Sequence, residues 1–345
     1  MQVLQSVLTA NTSTNPVDSG IPGWKISLIF LSFLIVFILV TIIKKIYYSF
    51  RYQKRYYIIP KVSVKGISNI AMVISISVAV IILLTVLSAN TASVIFRAWP
   101  GTRVTLEGIL IKIGGLLFGP ILGIFIGAMT DLLSVALTAG VFHYGYLIAA
   151  MAFGLIGGLI RIILTTSKRK DVIFAIYSSL ATLVIGAGIL LFLKFATGNE
   201  GFKIDLFGLN IALTTNQMMM IIGTFFLVSI AIVWLALGLK KILARKYRNH
   251  KKKHKQDWFI IFTPVFVTVI LTETIVNVMM LPSFDAELSS LKYSQWLSIR
   301  SILLIPMVVF NLFLIYPIFK IVVPLIKYDY EKDVVEDKSV PVYVD

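Results

Sequence analysis

Residues 103–133 read R-V-T-L-E-G-I-L-I-K-I-G-G-L-L-F-G-P-I-L-G-I-F-I-G-A-M-T-D-L-L, and residues 145–158 read G-Y-L-I-A-A-M-A-F-G-L-I-G-G. Gly115, Gly119, Gly123 and Gly127 recur at every fourth position, and Asp131 takes the next step in that row. Pro120 breaks the series at a Gly-Pro step. A row of glycines lets one membrane helix approach another backbone to backbone. A carboxylate at the end of such a row, deep in apolar sequence, is costly and marks a structural or functional need. The two together predict a tightly packed intramembrane bundle with one polar pocket.

The rest of the chain agrees in class. Of its 345 residues, 58% are hydrophobic and 14% charged, and the mean hydropathy is +0.92. A soluble domain carries about 25% charged residues. Nine apolar runs approach or exceed the ~20 residues that cross a bilayer core. They lie at 25–43, 67–88, 103–118, 120–138, 145–166, 172–196, 217–240, 258–281 and 299–326. The run at 103–118 is the weakest, because Glu107 and Lys112 interrupt it. Spanning segments must satisfy their own backbone amides, so the expected fold is an all-α polytopic transmembrane helical bundle.

Charge sets the expected orientation. Lys44, Lys45, Arg51, Lys54, Arg55, Lys61 and Lys65 follow the first run, and Lys168, Arg169 and Lys170 follow the fifth. Nine Lys and Arg between 240 and 255 follow the seventh. Alternate loops are therefore basic, which predicts a cytoplasmic C-terminus and an N-terminus outside, in the cell (plasma) membrane. Topology thus accounts for the net charge of +16 without nucleic acid. The 240–255 loop is also suited to anionic membrane lipid headgroups. Residues 1–23 are polar and lack the basic start of a cleaved signal peptide.

Several chemistries find no support in the residues. No G-x-x-x-x-G-K-[ST] occurs, so ATP hydrolysis through a P-loop is not expected. There is no cysteine, and His143, His250 and His254 form no metal set, the last two lying among lysines. No metal, cofactor or catalytic residue is assigned.

Ionisable residues inside apolar runs carry the remaining signal. Lys112 lies about 13 Å below Arg103 along its helix, while Asp131 and Glu273 lie about 10 Å and 12 Å below their own outer ends. Groups at one depth can meet and neutralise one another. Lys112 paired with Asp131, or with Glu273, would fix helix register. The functional reading is a pocket open to the outside, with Arg103 and Arg300 offering guanidinium forks to a carboxylate. Arg300 alternatively snorkels to the interface. Trp99, Phe142, Tyr144, Tyr146, Tyr293 and Trp296 fall at outer ends, as an interfacial belt or as a stacking surface for a flat heteroaromatic ring.

The stretch 116–133, followed by G-V-F-H-Y-G-Y-L-I-A-A-M-A-F-G-L-I-G-G at 140–158, resembles the substrate-binding S components of energy-coupling factor (ECF) vitamin transporters. T-E-T-I-V-N-V-M-M-L-P-S-F at 272–284, S-I-R-S-I-L at 298–303 and Y-P-I at 316–318 look like the last two helices of the folate-type branch. The usual aromatic-proline-glycine after the third core helix is here His143-Tyr144-Gly145. The resemblance implies a six-helix core formed by 67–166 and 258–326. Residues 1–66 would add an outside N-terminus, an extra helix and a basic loop. Residues 167–257 would add an inserted hairpin and a second basic loop, and 327–345 a cytoplasmic tail.

The resemblance further implies a non-enzymatic subunit of an ABC importer. Such a subunit captures a vitamin at the outer face and works with an ECF transmembrane component and two ATPase subunits. The implied ligand is folate-like, with riboflavin, thiamine, pyridoxal and nicotinate as alternatives. Its implied site residues are Arg103, Lys112, Asp131, Tyr144, Tyr146, Glu273, Asn277, Trp296 and Arg300. Loops 89–103, 139–146 and 282–298 would form lid and rim. Ala71, Ser75 and Ala79 match the small-residue spacing with which the family docks on its partner. An integral membrane enzyme using Asp131 and Glu273, or a noncatalytic scaffold, are the competing classes.

Overall fold

The computed structural model describes residues 21–51, 54–56, 64–88, 102–138, 142–166, 171–197, 202–206, 209–246, 258–289, 291–325 and 335–337. The expected lid segment 89–101 and the side chain of Arg103 lie outside the described residues. Among those described, each of the nine apolar runs corresponds to one helical rod. These are α1 (Gly23–Arg51), α2 (Val64–Ser88), α3 (Thr102–Phe118), α4 (Pro120–Thr138), α5 (Tyr144–Thr166), α6 (Asp171–Thr197), α7 (Thr215–Lys246), a composite eighth rod and α10 (Tyr293–Leu325). The eighth is built from α8 (Trp258–Thr272), a π-helical stretch (Glu273–Met280) and α9 (Leu281–Leu288). Seven rods are long and apolar enough to cross a membrane. Leu, Ile and Phe side chains cover their outer surfaces. The chain is a membrane-embedded helical bundle, whose outward side chains suit hydrocarbon rather than water.

Glycine places the centre. The Gly119 backbone has φ +90, which a side chain would strain. It ends α3 with its N–H on the Gly115 carbonyl (2.9 Å), and Pro120 starts α4 directly after it. The resulting hairpin lies against α5 at backbone distance. A Cβ on Gly115 or Gly123 would run into the Gly154 carbonyl, one on Gly127 into the Ala150 carbonyl, and one on Gly158 into Pro120. No side chain separates these helices, so dispersion between backbones holds them where lipid provides no hydrophobic drive.

The other rods surround this trio. α2 leans on α3 and α4 through Ile70, Val73, Ile74 and Val78 around Ile126, a cluster separate from the main core. Its Ala71, Ser75 and Ala79 face outward and are exposed. The eighth rod packs between α5 and α10 and is the most enclosed, with 83% of its span buried. The α6–α7 pair had the look of an addition in sequence. In the structure it shares the main apolar core, with Phe174 edge-on to Phe259 at 6.5 Å and Met218, Ile222 and Phe226 buried in the same cluster. An ion pair between Lys240 and Asp171 (2.7 Å) closes one end of the pair. By contrast α1 is only 6% buried over its span. It touches the bundle near its N-terminus, where Gly23 meets Phe284 and Glu287 and Ile26 is buried.

Two short antiparallel ladders accompany the helices. β1 (Lys54–Tyr56) pairs with β4 (Val335–Asp337), Lys54 opposite Asp337. This places the segment after α1 and the segment after α10 on one side of the bundle. β2 (Phe202–Leu206) and β3 (Leu209–Leu213) form the link between α6 and α7, and β2 lies against α10.

The glycine contacts generate a stability test. Gly154→Ala pushes a methyl onto the Gly123 backbone, which cannot move aside as a side chain would. The expected loss is about 1–3 kcal/mol, the usual cost of overpacking. Gly188→Ala, with nothing within 4 Å of the new Cβ, is expected to unfold at the wild-type temperature or slightly above it. Thermal unfolding of the purified variants in detergent checks both.

Candidate functional site

The buried polar side chains of four rods join into one chain. Lys112 enters from α3 and is fully buried, as is Glu273. Its ammonium lies 2.5 Å from Glu273 Oε1, donates to Asn311 Oδ1 on α10 at 3.1 Å, and sits 4.6 Å from the centre of the Phe153 ring. Of the two pairings left open by the sequence, Glu273 is the partner. Asn311 is itself held by donating Nδ2–H to the Met307 carbonyl (3.0 Å). The other oxygen of Glu273 accepts from Asn277 Nδ2. Asn277 Oδ1 in turn accepts from Arg300 Nη1 at 3.1 Å.

Arg300 continues the chain. Its Nε donates to Asp285 Oδ2 at 2.6 Å, and Nη2 lies 2.5 Å from the same oxygen. Tyr146, from α5, donates its hydroxyl to Asp285 Oδ1 at 2.8 Å. The sequence Asn311–Lys112–Glu273–Asn277–Arg300–Asp285–Tyr146 is thus unbroken. It follows α10 from Asn311 to Arg300, about 16 Å at the α-helical rise. Breaking a buried charge pair leaves an uncompensated ion in a medium of low dielectric, so each link depends on its neighbours.

The π-helical stretch makes this alignment possible. An α-helix turns about 100° per residue, so twelve residues from Glu273 to Asp285 would leave them about 120° apart. A π turn is wider and advances less per residue. Eight residues of it bring Asp285 back toward the face that carries Glu273 and Asn277. Carbonyls near the α-to-π junction find local donors: Thr272 Oγ1 donates to Thr268 O (2.7 Å) and Thr274 Oγ1 to Ile270 O (2.8 Å). Side-chain donors of this kind are how a membrane helix tolerates an irregular backbone.

Above Asp285 lies a rim of aromatic and acidic groups. Glu287 accepts from the Tyr144 hydroxyl at 2.7 Å, from the Gly23 backbone N–H at 3.0 Å, and lies 3.2 Å from His143 Nε2. His143 Nδ1 accepts the Gly145 N–H at 3.2 Å, which assigns the ring proton of the neutral imidazole to Nε2, facing Glu287. The rings of His143, Tyr144, Tyr146 and Phe284 lie against one another, with centroids 4.6 to 6.1 Å apart.

The structure therefore brings together Lys112, Glu273, Asn277, Arg300 and Tyr146 of the expected site, with Tyr144 above them. Trp296 is buried and clamps the α9–α10 turn by donating Nε1–H to Ser289 Oγ at 2.6 Å. Asp131 is buried on α4, and Lys112 takes its ion pair elsewhere. Three members went unrecognised from sequence. Asp285 and Glu287 fall after Pro282, beyond the apolar run at 258–281, but Pro282 sits in the first turn of α9 and the rod continues. Asn311 carried a readable signal, a lone amide in the last apolar run.

Comparison with known proteins adds one relative. An "Uncharacterized protein MG098 homolog" of Mycoplasma pneumoniae is 29% identical over 337 residues, covering 86% of this chain and 69% of that protein. No family model matches the chain, and no solved structure matches it.

The ion pair at the foot of the chain is testable. Lys112→Met leaves Glu273 charged and buried, and should cost about 3–5 kcal/mol. Glu273→Gln keeps an acceptor for Asn277 but strands the ammonium. The double variant Lys112→Met/Glu273→Gln removes both charges and should recover most of the loss, as read from unfolding of all four proteins.

Proposed function

We propose that this chain is the solute-binding membrane subunit of an ECF-type importer, capturing a small vitamin-class molecule at the rim end of the bundle. The observation that carries the reading is convergence. Lys112, Glu273, Asn277, Arg300 and Tyr146, distant in sequence, meet beneath a cluster of aromatic rings. Flat heterocycles are held by such combinations of ring faces and a few oriented polar groups. The motif resemblance at 116–133, 140–158 and 272–303 supports the same reading and nominates folate first. Tight backbone packing in α3–α5 fits a body that binds its solute as a rigid unit. In this reading, ATP hydrolysis belongs to two partner ATPases and coupling to a transmembrane partner, for which the exposed Ala71, Ser75 and Ala79 of α2 offer a smooth face.

Function and orientation stand together, since capture from outside requires the rim to face out. The basic segments after α1, α5 and α7 favour the opposite side as cytoplasmic. The chain lacks cysteine, so single substitutions report cleanly. Lys292→Cys, exposed before α10, should react with an impermeant maleimide on intact cells. Lys241→Cys, near the end of α7, should react only after permeabilisation, and the reverse pattern overturns the orientation.

Ligand capture is read by melting. A vitamin that binds only the folded protein raises its stability by about 2.7 kcal/mol at one hundred times Kd. Folate, riboflavin, thiamine, pyridoxal and nicotinate form the panel, and one should raise the melting temperature of the purified chain. A flat response across the panel, with no ATPase co-purifying, would leave the polar chain as a register-fixing device and end the transport reading.

A further inference from the structure

We infer that the solute accepted by this site carries no net charge where it meets the polar chain, and that Asp285 is the residue that turns carboxylates away. The inference rests on the transport reading above and names the chemical class of its ligand. It departs from the folate-like dianion that the resemblance implies.

The argument is a charge count with geometry behind it. The chain holds two cations, Lys112 and Arg300, and two anions, Glu273 and Asp285. Each cation is already engaged. Arg300 donates from Nε to Asp285 and from Nη1 to Asn277, while Nη2 lies 2.5 Å from the Asp285 oxygen that Nε already holds but forms no hydrogen bond of its own. The Lys112 ammonium faces Glu273, Asn311 and the Phe153 ring. A carboxylate approaching Arg300 from the rim meets Asp285 first, and above it Glu287. Like charges at such distances repel strongly where water is scarce. Displacing Asp285 from Arg300 would leave that carboxylate buried without its guanidinium, which is the costly outcome for a buried ion.

An uncharged ring escapes both difficulties. It can stack on the His143, Tyr144, Tyr146 and Phe284 cluster. Its ring nitrogens and carbonyls can exchange hydrogen bonds with Tyr146 and Asn277 while the ion pairs stay closed. The expected class is therefore an uncharged heteroaromatic molecule with hydrogen-bonding edges.

The experiment is equilibrium binding to the purified full chain. Riboflavin, pyridoxal and nicotinamide are set against folate, nicotinate and biotin at neutral pH. One uncharged member should bind at least about 100-fold more tightly than any carboxylate, the scale set by like-charge juxtaposition. Asp285→Asn frees the Arg300 fork and should tighten carboxylate binding by about tenfold or more. Tyr146→Phe, which keeps the ion pair but removes a hydroxyl the ligand would use, should weaken uncharged ligands without admitting carboxylates. Tight folate, nicotinate or biotin binding by the wild type overturns the inference and leaves the transport reading intact. Binding of an uncharged ligand with no carboxylate gain in folded Asp285→Asn overturns the role of Asp285. If Asp285→Asn does not fold, the wild-type panel alone decides the charge class. Absence of binding by every member overturns the transport reading and the inference with it.

Discussion

A lysine with no access to water governs this structure. Lys112 is fully buried with its ammonium over the Phe153 ring, where an unpaired charge would be prohibitive. Its ion pair with Glu273 obliges α3 and the eighth rod to hold one register, and its bond to Asn311 adds α10 to the same level. Glu273 needs a second donor, which fixes Asn277, and Asn277 needs a donor for its oxygen, which fixes Arg300. The chain of obligations ends at Tyr146 on α5. Packing alone, between helices bathed in apolar lipid, would leave their relative heights weakly specified. Polar neutralisation specifies them.

Close glycine contact makes that specification workable. α3, α4 and α5 meet backbone to backbone at Gly115, Gly123, Gly154 and Gly158. This forms an unyielding wall from which Lys112 and Tyr146 project. The polar chain therefore spans a rigid trio on one side and the eighth rod and α10 on the other. α1 contributes little to this core but caps it: its first N–H, at Gly23, lands on Glu287 beside Tyr144 and His143.

Much of this was readable in the residues, and the failures have physical causes. The apolar runs marked the rods because bilayer thickness imposes a minimum length. The glycine row marked the tightest contact because glycines on both arms of the α3–α4 hairpin let each arm meet α5 backbone to backbone. Lys112 and Glu273 stood out because intramembrane charge is rare. Asp285 was missed because Pro282 reads as a helix end, and a proline just after a π stretch starts a new segment instead. The partner of Arg300 was therefore sought in a ligand, although the protein supplies it. The sequence marked α6–α7 as an inserted pair but did not show which of its apolar faces join the main core, because sequence order does not reveal which faces pack together.

The π-helical stretch has a consequence for how this protein can change through descent. Its eight residues act as a phase offset between two α-helical clocks, α8 below and α9 above. Deleting one residue there would cost little apolar area, yet it would spin α9 by roughly a quarter turn and carry Asp285 off the guanidinium. Insertions and deletions in this part of the rod are therefore far more damaging than substitutions of similar bulk. Length between Glu273 and Asp285 is a constraint of its own, independent of which apolar residues fill the interval.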